Sequence, residues 1–250
     1  MTTDIAYMDC NVSFGVECAG TYCPCATVTE LLAEMDWHGV DRALTHHALM
    51  RSQSPVVGNA VLAEEIAGQP RLVGTWAILP PQTEELPTGA AFFHAMAAAG
   101  VRALWAWPNE HRYMLNRVTF GPWLDEVAER RIPLFIPCDW ELAYRVLAEY
   151  PTLTLVVMAQ GPWGNDRYFR PLLERYPRFQ LDISRYELDC GLRELVARYG
   201  PTRLLYGSAF PQAPMGGARL MLAQAEIDAE ARRAIAGDNL RQLLGEVELG

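Results

Sequence analysis

Short apolar runs alternate with amphipathic segments along almost the whole chain. Runs rich in β-branched residues or leucine predict strands at residues 5–11, 40–45, 71–79, 101–105, 132–136, 153–158, 179–183 and 203–206. Apolar positions three or four residues apart predict helices at residues 55–67, 90–99, 123–130, 141–150, 166–176, 191–199 and 216–244. The pattern therefore predicts strands and helices in regular alternation.

One helix has both of its ends marked in the sequence. Thr27 followed by Glu30 forms a capping box, in which each side chain accepts a hydrogen bond from the other residue's backbone N–H. Leu31 and Met35 then share one face, and Gly39 is a typical residue for the end of a helix. The sequence therefore predicts a helix between Thr27 and Gly39, just before the second strand.

The alternation defines the fold class. Successive strand, helix and strand units imply right-handed crossovers, and eight of them in 250 residues match the size of a closed parallel barrel. An open doubly wound sheet is the alternative, but it would call for a glycine-rich phosphate loop after the first strand, and none follows it. We therefore expect a single (β/α)8 TIM-type barrel domain over residues 1–250.

Charge narrows the range of partners. The formal net charge is −9, from 21 basic and 30 acidic side chains, which argues against a nucleic-acid or anionic membrane surface. The basic side chains are all arginine, so a lysine Schiff base and a lysine general base are excluded. The partner we expect is a small-molecule ligand, and the many aromatic residues also permit a homo-oligomer.

The N-terminal residues lack a basic segment followed by an apolar one, and no apolar run is long enough to span a membrane. We therefore expect a cytoplasmic protein. In a reducing compartment its six cysteines should be free thiols rather than disulfides.

The first strand leads into the segment Asp-Cys-Asn-Val-Ser-Phe-Gly at residues 9–15. This segment resembles the first-strand motif of the amidohydrolase-related family, Asp-x-His-x-His-x-Gly. The likeness continues through residues 30–43 and 63–79, the Gly-Ser-Ala-Phe-Pro segment at residues 207–211, and residues 235–245. The resemblance implies a metal-dependent hydrolase fold of the TIM-barrel type.

The same resemblance also shows where this chain departs from the family. The family holds its metal with four histidines and an aspartate, at positions that carry other residues here. Those positions are Asn11, Ser13, Pro137, Ala159 (with Gln160 beside it) and Ala209. None of these side chains holds a divalent cation tightly. The resemblance therefore implies a divergent member that lacks the metal ligands, and we expect no cofactor.

Candidate site residues follow from the fold, because barrel active sites lie at the carboxyl ends of the strands. The catalytic candidates are His47, His46 and Asp182. The candidates for substrate binding are Asn11, Ser13, Trp107, Asp139, Gln160, Arg185 and Ser208, with Trp105 and Trp163 as further aromatic walls. An arginine fork, an imidazole and stacking indoles together suit a small planar acid.

Each candidate also has a structural interpretation. A histidine at a strand end is often a hydrogen-bonded structural group, and the tryptophans could pack between barrel and helices. Asp182 could cap a loop or pair with Arg185. Asn11 and Ser13 could simply fill the space that the metal leaves.

The cysteines of the first loop form the most unusual local pattern, with Cys18, Cys23 and Cys25 close together. They could assemble a thiolate zinc site, but the spacing differs from the paired Cys-x2-Cys of zinc modules. Small apolar packing groups are the simpler interpretation.

Three hypotheses about function follow. The first is a divergent amidohydrolase-like protein that binds a small organic acid or related metabolite at the barrel mouth, with metal-independent hydrolase or lyase chemistry. The second is a non-catalytic barrel that binds a ligand or serves in an assembly, and the third is a zinc hydrolase with a relocated Cys/His site. An open mouth where His47 or His46 converges with Asp182 would favour the enzyme. A mouth plugged by Phe14, Trp107 or Phe210 would favour the second hypothesis.

Overall fold

The computed structural model describes residues 5–15, 23–158, 161, 165–188 and 190–250. Their eight strands form one parallel sheet in sequential order, each hydrogen-bonded to the next. The strands are β1 (Met8–Phe14), β2 (Arg42–His47), β3 (Leu72–Ala77), β4 (Val101–Trp105), β5 (Leu134–Ile136), β6 (Leu155–Val157), β7 (Phe179–Asp182) and β8 (Leu204–Leu205). Sequential order in a parallel sheet is the topology of a barrel.

The first strand meets the last and completes the barrel. The backbone N–H of Cys10 donates to the carbonyl of Tyr206 at 2.9 Å, and the N–H of Ser13 donates to the carbonyl of Phe210 at 2.9 Å. Val12 and Phe210 also form a parallel bridge. The predicted single (β/α)8 barrel is therefore confirmed.

Helices cover the outside of this barrel. They are α1 (Val28–His38), α2 (Leu49–Ser52), α3 (Pro55–Glu65), α4 (Gly89–Ala98), α5 (Arg117–Glu129), α6 (Trp140–Glu149), α7 (Asp166–Arg175), α8 (Gly191–Tyr199), α9 (Met215–Gln224), α10 (Ala229–Arg233) and α11 (Asn239–Gly245). A π-helical turn, Ala234–Asp238, joins the last two. No helix in the described ranges is long and apolar enough to cross a membrane.

The capping box is present as predicted. The Thr27 hydroxyl accepts from the N–H of Glu30 at 3.2 Å, and Glu30 Oε2 accepts from the N–H of Thr27 at 3.2 Å. Gly39 ends the helix in the left-handed conformation, with φ at 61°.

Two predicted boundaries differ from the structure. Strand β1 runs to Phe14 rather than stopping at Asn11, because its polar residues are buried inside the barrel instead of facing a loop. Helix α5 is broken at Gly121, which has a non-helical φ of 41° and ψ of −130°. The predicted helix at residues 123–130 corresponds to the part after this break, and the part from Arg117 was not predicted.

The C-terminal helices fasten the last strand. Ile235 is buried, and its carbonyl accepts from the N–H of Tyr206 at 3.0 Å. Asn239 Nδ2 donates to the carbonyl of Leu204 at 2.9 Å. The segment 216–244, predicted to be helical, breaks after Gln224, where Ala225 is extended, and continues as α10, the π-helical turn and α11.

Candidate functional site

A cavity of about 390 Å³ opens at the carboxyl ends of the strands. Its lining comprises Asn11, His46, Arg51, Trp105, Trp107, Pro137, Cys138, Met158, Arg185, Ala209, Gln212, Ala213 and Pro214. This is the end of the barrel where enzymes of this fold keep their active sites. The described lining residues include two arginines and no acidic side chain, in a chain whose net charge is −9.

Stacked indoles form one wall. The rings of Trp105 and Trp107 are nearly parallel, at 4°, with their centroids 4.7 Å apart. The ring of His46 lies 5.1 Å from Trp105 and 5.4 Å from Trp107. This wall offers a flat apolar surface beside one polar edge, a combination that suits a planar ligand.

The imidazole of His46 is neutral at physiological pH. The pKa of His46 is lowered to about 3, mainly by burial and also by the positive charge of Arg51 and by the neighbouring His47. A neutral imidazole carries one donor and one acceptor nitrogen. His46 can therefore exchange hydrogen bonds with a ligand without becoming charged.

His47 points away from this cavity, in contrast to its first place among the catalytic candidates. Its Nδ1 accepts from the N–H of Leu49 at 3.2 Å, and its ring meets Phe14 edge-on at 5.1 Å. Nε2 lies 3.8 Å from Oε2 of Glu65. Adjacent residues of a strand face opposite sides, so only one of the two histidines can face the mouth. The structure places His46 there.

The rim of the cavity carries two arginines with different surroundings. Arg51 is paired with Glu110, whose Oε1 lies 2.9 Å from both Nε and an Nη of the guanidinium. Arg185 is exposed, and its guanidinium makes no ion pair within the described part of the chain. Arg185 is therefore the rim cation whose charge is not already compensated.

Asp182 accepts hydrogen bonds from Ser184 and Asn11 rather than from Arg185. Its Oδ1 accepts from the N–H of Ser184 at 2.7 Å, and its Oδ2 accepts from the hydroxyl of the same serine. Asn11 Nδ2 also donates to Oδ2, at 3.2 Å. Asp182 is fully buried beneath the cavity and is connected to it through Asn11. His46 therefore lines the cavity, whereas the carboxylate of Asp182 is buried behind Asn11.

A second buried carboxyl lies near Asp182. Oδ1 of Asp9 accepts from the N–H of Asn11 at 2.9 Å and from the N–H of Ser208 at 3.0 Å. Burial raises the pKa of Asp9 to about 7, against the lowering effect of the hydrogen bonds from Ser208 and Asn11. The negative charge of Asp182 adds to the rise. Asp9 was not predicted as a site residue, although an acid inside an apolar strand was a usable signal.

Gly207 makes room for these two carboxyls. A Cβ at this position would overlap the Asp182 carboxyl and crowd the side chain of Asn11. The glycine that begins the Gly-Ser-Ala-Phe-Pro segment is therefore required by close packing.

The remaining candidates lie elsewhere. Ser208 is buried and accepts from the N–H of Phe210 at 3.1 Å, so it shapes the turn after β8. Ser13 is buried, and its hydroxyl has no partner within the described ranges. Asp139 caps α6 through the N–H of Leu142 at 2.9 Å and lines a separate cavity, so the structure does not bring it to the mouth. Gln160, Trp163 and Cys18 lie outside the described residues.

The mouth is open rather than plugged. Phe14 and Phe210 are buried and are not among the described lining residues, while Trp107 forms a wall. The prediction missed Arg51, which lies on the short helix α2 that the sequence pattern did not reveal. A four-residue helix is too short to give a recognisable apolar period.

The described residues that the resemblance places at the family's metal positions do not fit a divalent cation. Pro137 and Ala209 line the cavity without a donor atom, and the amide nitrogen of Asn11 is directed to Asp182. In the described ranges, no group of three or more His, Cys, Asp or Glu side chains could hold a metal ion. Burial, with Glu30 nearby, raises the pKa of Cys25 to about 12, which disfavours the thiolate that zinc requires.

The fold and the cavity together define a class, that of (β/α)8 barrels with a pocket at the carboxyl ends of the strands. A model of the amidohydrolase family matches residues 31–245, and the chain belongs to that family. No curated protein sequence shows a significant match.

Solved structures share the fold at low sequence identity. An uncharacterised TIM-barrel protein from Bordetella bronchiseptica superposes with a TM-score of 0.75 at 16% identity, over 97% of this chain and 99% of the other. The 5-carboxyvanillate decarboxylase of Sphingomonas paucimobilis gives 0.72 at 16%, over 98% and 100%. A probable 2-pyrone-4,6-dicarboxylic acid hydrolase from Acinetobacter baumannii gives 0.69 at 14%, over 96% and 100%.

Proposed function

We propose that this protein binds a small planar carboxylic acid in the mouth cavity and acts on it as a lyase or hydrolase without a divalent cation. The observation that carries the proposal is the guanidinium of Arg185, exposed at the cavity and free of an ion pair within the described chain. A guanidinium of this kind forms paired charge-assisted hydrogen bonds with a carboxylate.

The other walls support the same ligand class. The stacked indoles of Trp105 and Trp107 provide a flat face, and neutral His46 provides a hydrogen-bonding edge. Because none of the described lining residues is acidic, a ligand carboxylate would meet no like charge on the wall. The solved structures that share the fold include a decarboxylase and a probable hydrolase of named organic acids, which agrees with this class.

One observation favours a second hypothesis, a barrel that binds the acid without chemistry. Burial holds the pKa of His46 near 3 and raises the pKa of Cys138 to about 11, so neither group titrates near neutral pH. A general acid or base works best with a pKa near the working pH. A catalytic version of the site would therefore use His46 as a neutral hydrogen-bonding group, with Arg185 holding the acid.

The test is calorimetric titration with benzoate, isophthalate and a furan carboxylate on the wild type and on Arg185→Met. Loss of a charge-assisted pair should weaken binding by roughly tenfold or more. The matched control is Arg175→Met, which removes an exposed arginine on α7, outside the cavity. Absence of binding to all three acids, or unchanged affinity in Arg185→Met, would contradict the proposal.

The metal-independent part of the proposal has its own measurement. Protein purified without a histidine tag should contain less than about a tenth of an equivalent of any transition metal, because the donor set does not fit one. Mass spectrometry of the digested protein measures this content. About one equivalent would contradict the proposal, and loss of that metal in a Cys23→Ser/Cys25→Ser variant would assign it to the cysteine loop instead.

A further inference from the structure

A second cavity, of about 360 Å³, lies between the start of α8 and the end of α9, and we call it the α8–α9 cavity. None of its described lining residues belongs to the mouth cavity. The lining includes Tyr186, the residue after Arg185, so one short segment of chain contributes to both cavities. The volume is in the range of pockets that bind small molecules.

The inner wall of the α8–α9 cavity is apolar. Leu192 and Tyr186 are buried, and Met221 and Ala225 line the side formed by α9. A Cβ at Gly191 would lie 2.8 Å from the hydroxyl oxygen of Tyr186, so the glycine lets that side chain pack against α8. Such a wall can bury the carbon skeleton of a ligand.

The rim of the α8–α9 cavity carries one carboxylate whose charge is not compensated. Arg193 and Glu226 both lie on the lining and form an ion pair with each other. Glu187 is exposed on the lining and makes no ion pair within the described part of the chain. The charges on the described lining therefore leave one negative charge, that of Glu187.

The amino end of α8 opens on the same cavity without making it an anion site. The N–H of Gly191 already donates to the carbonyl of Leu188, at 2.9 Å. A helix end carries only about half an elementary charge, which is less than the full charge of Glu187. Since Arg193 is held by Glu226, this rim favours a cation over an anion.

We infer that the α8–α9 cavity binds a compact organic ammonium ion, whose carbon skeleton lies on the apolar wall and whose charge lies beside Glu187. Charge complementarity to that carboxylate sets the sign of the ligand, and an aromatic ring such as that of Tyr186 attracts cations. An exposed ion pair is weak on its own, so the carbon skeleton supplies most of the affinity. The inference is independent of the proposed function, because no residue of the mouth cavity takes part in it.

The experiment uses Cys190, whose exposed thiol lies on the lining of the α8–α9 cavity. Cys138 has an exposed thiol on the lining of the mouth and serves as the internal reference. The whole protein is treated with iodoacetamide, and the rate of alkylation at each cysteine is followed by peptide mass spectrometry. Benzylamine, which is protonated at neutral pH, should slow the alkylation of Cys190 at least about threefold and leave Cys138 unchanged.

A neutral analogue tests the role of the charge. Benzyl alcohol has the same skeleton without the charge, so it should protect Cys190 less than benzylamine does. Unchanged alkylation of Cys190 at about 10 mM benzylamine, or equal protection by the two compounds, would overturn the inference. Benzoate, in contrast, should protect Cys138 and not Cys190, so failure of the proposed function would register at a different cysteine.

Variants assign the site to its residues. Glu187→Gln keeps the shape of the side chain and removes its charge, so the benzylamine concentration for half protection should rise roughly twofold to fivefold. Glu129→Gln, at an exposed glutamate on α5 outside the cavity, is the control. Ala225→Phe fills the cavity from the α9 side and should abolish protection. Unchanged protection in Glu187→Gln overturns the role of that carboxylate, and this surface variant decides the question if Ala225→Phe does not fold.

Discussion

Asp9 is a buried carboxyl of the site, and burial raises its pKa to about 7. The unfolded chain would titrate this group near its ordinary value of 3.8. The native state therefore holds a proton that the unfolded state releases between these two values. Protonated Asp9 therefore makes its full contribution to stability below the unfolded-state pKa of 3.8. That contribution is lost as the pH rises through the folded-state pKa of about 7.

Asp9→Asn should remove this dependence on pH. The free energy of unfolding of the variant, relative to the wild type, should increase as the pH rises from about 4 to about 7, by on the order of 4 kcal/mol at most. The asparagine Oδ1 can still accept from Asn11 and Ser208. Urea denaturation at intervals across this range measures the difference, with Glu141→Gln on the surface of α6 as control. A difference that is constant with pH would show that Asp9 is not protonated in the native state.

Some residues named from the sequence line the cavity and others do not, because the sequence alone does not show which way a side chain points. Asn11, Trp107, Arg185 and His46 were named from the sequence and do line the cavity. The choice between His46 and His47 could not be made, because it depends on which side of the sheet each faces. The register shift between Asp9 and Val12 places an extra residue on β1, so counting alternate residues along the sequence does not settle which side Asn11 and Ser13 face either.

At the scale of elements, the segment between β7 and α8 holds Arg185 at the cavity. Arg185 adopts a left-handed conformation, with φ at 60°, which is uncommon for a residue with a side chain. Ser184 is tied to Asp182 on one side. On the other, the hydroxyl of Tyr186 donates to Asp166 on α7 at 3.0 Å. Arg185 thus lies between two anchored neighbours.

Tyr186→Phe should loosen this segment without emptying the core. The ring remains buried, and only the hydrogen bond to Asp166 is lost. We expect affinity for benzoate to fall roughly threefold to tenfold, because binding must then order the arginine and its loop. Tyr144→Phe, at an exposed tyrosine on α6, should leave the affinity unchanged.

The readout that separates positioning from plain destabilisation is the dependence on ligand charge. Affinity for benzamide, which lacks the carboxylate charge, should change less in Tyr186→Phe than affinity for benzoate. Equal losses for both ligands would show that the tyrosine shapes the cavity in general rather than placing Arg185.

Helices could be predicted where the spacing of apolar residues agreed with the residues that mark the ends of a helix. The helix after Thr27 was found because its capping box and its terminal glycine are both local in sequence. The start of α5 was missed because the Gly121–Pro122 pair marks a break, and the four residues before it are too few to show a helical period. Asp139 caps α6, and its role in ligand binding stays a prediction, because a polar residue after a strand can serve a ligand or cap the next helix.

At the scale of the whole molecule, the barrel depends on its C-terminal residues. The carbonyl of Ile235 accepts from Tyr206 and its side chain is buried, while the N–H of Glu248 donates to the carbonyl of Arg130 at 2.9 Å. These contacts join the end of the chain to strand β8 and to the end of α5.

Ile235→Ala should therefore destabilise the entire barrel. The lost packing should lower the free energy of unfolding by about 2–5 kcal/mol, measured by urea denaturation. Val118→Ala, at a position 84% exposed, should stay within about 0.5 kcal/mol of the wild type. A similar small effect at Ile235 would mean that the C-terminal segment is not part of the cooperative unit.

The fold as a whole was the most predictable level, because alternation over eight units leaves few topologies. The site was less predictable, because it joins residues from β1, β2, β4 and the segments after β5, β7 and β8, whose spacing in sequence does not encode their distance. That its described lining residues include arginines and no acidic side chain was equally hidden in a composition with a net charge of −9.

The parallel indoles of Trp105 and Trp107 have an optical consequence. Two chromophores this close and this nearly parallel couple their electronic transitions, so the pair should contribute a circular dichroism signal that separate tryptophans lack. A molecule entering the cavity would alter that coupling and the emission of the pair together. The circular dichroism and fluorescence of this tryptophan pair should therefore report whether the cavity is occupied. Compounds could be screened for binding by these two signals before the reaction is known.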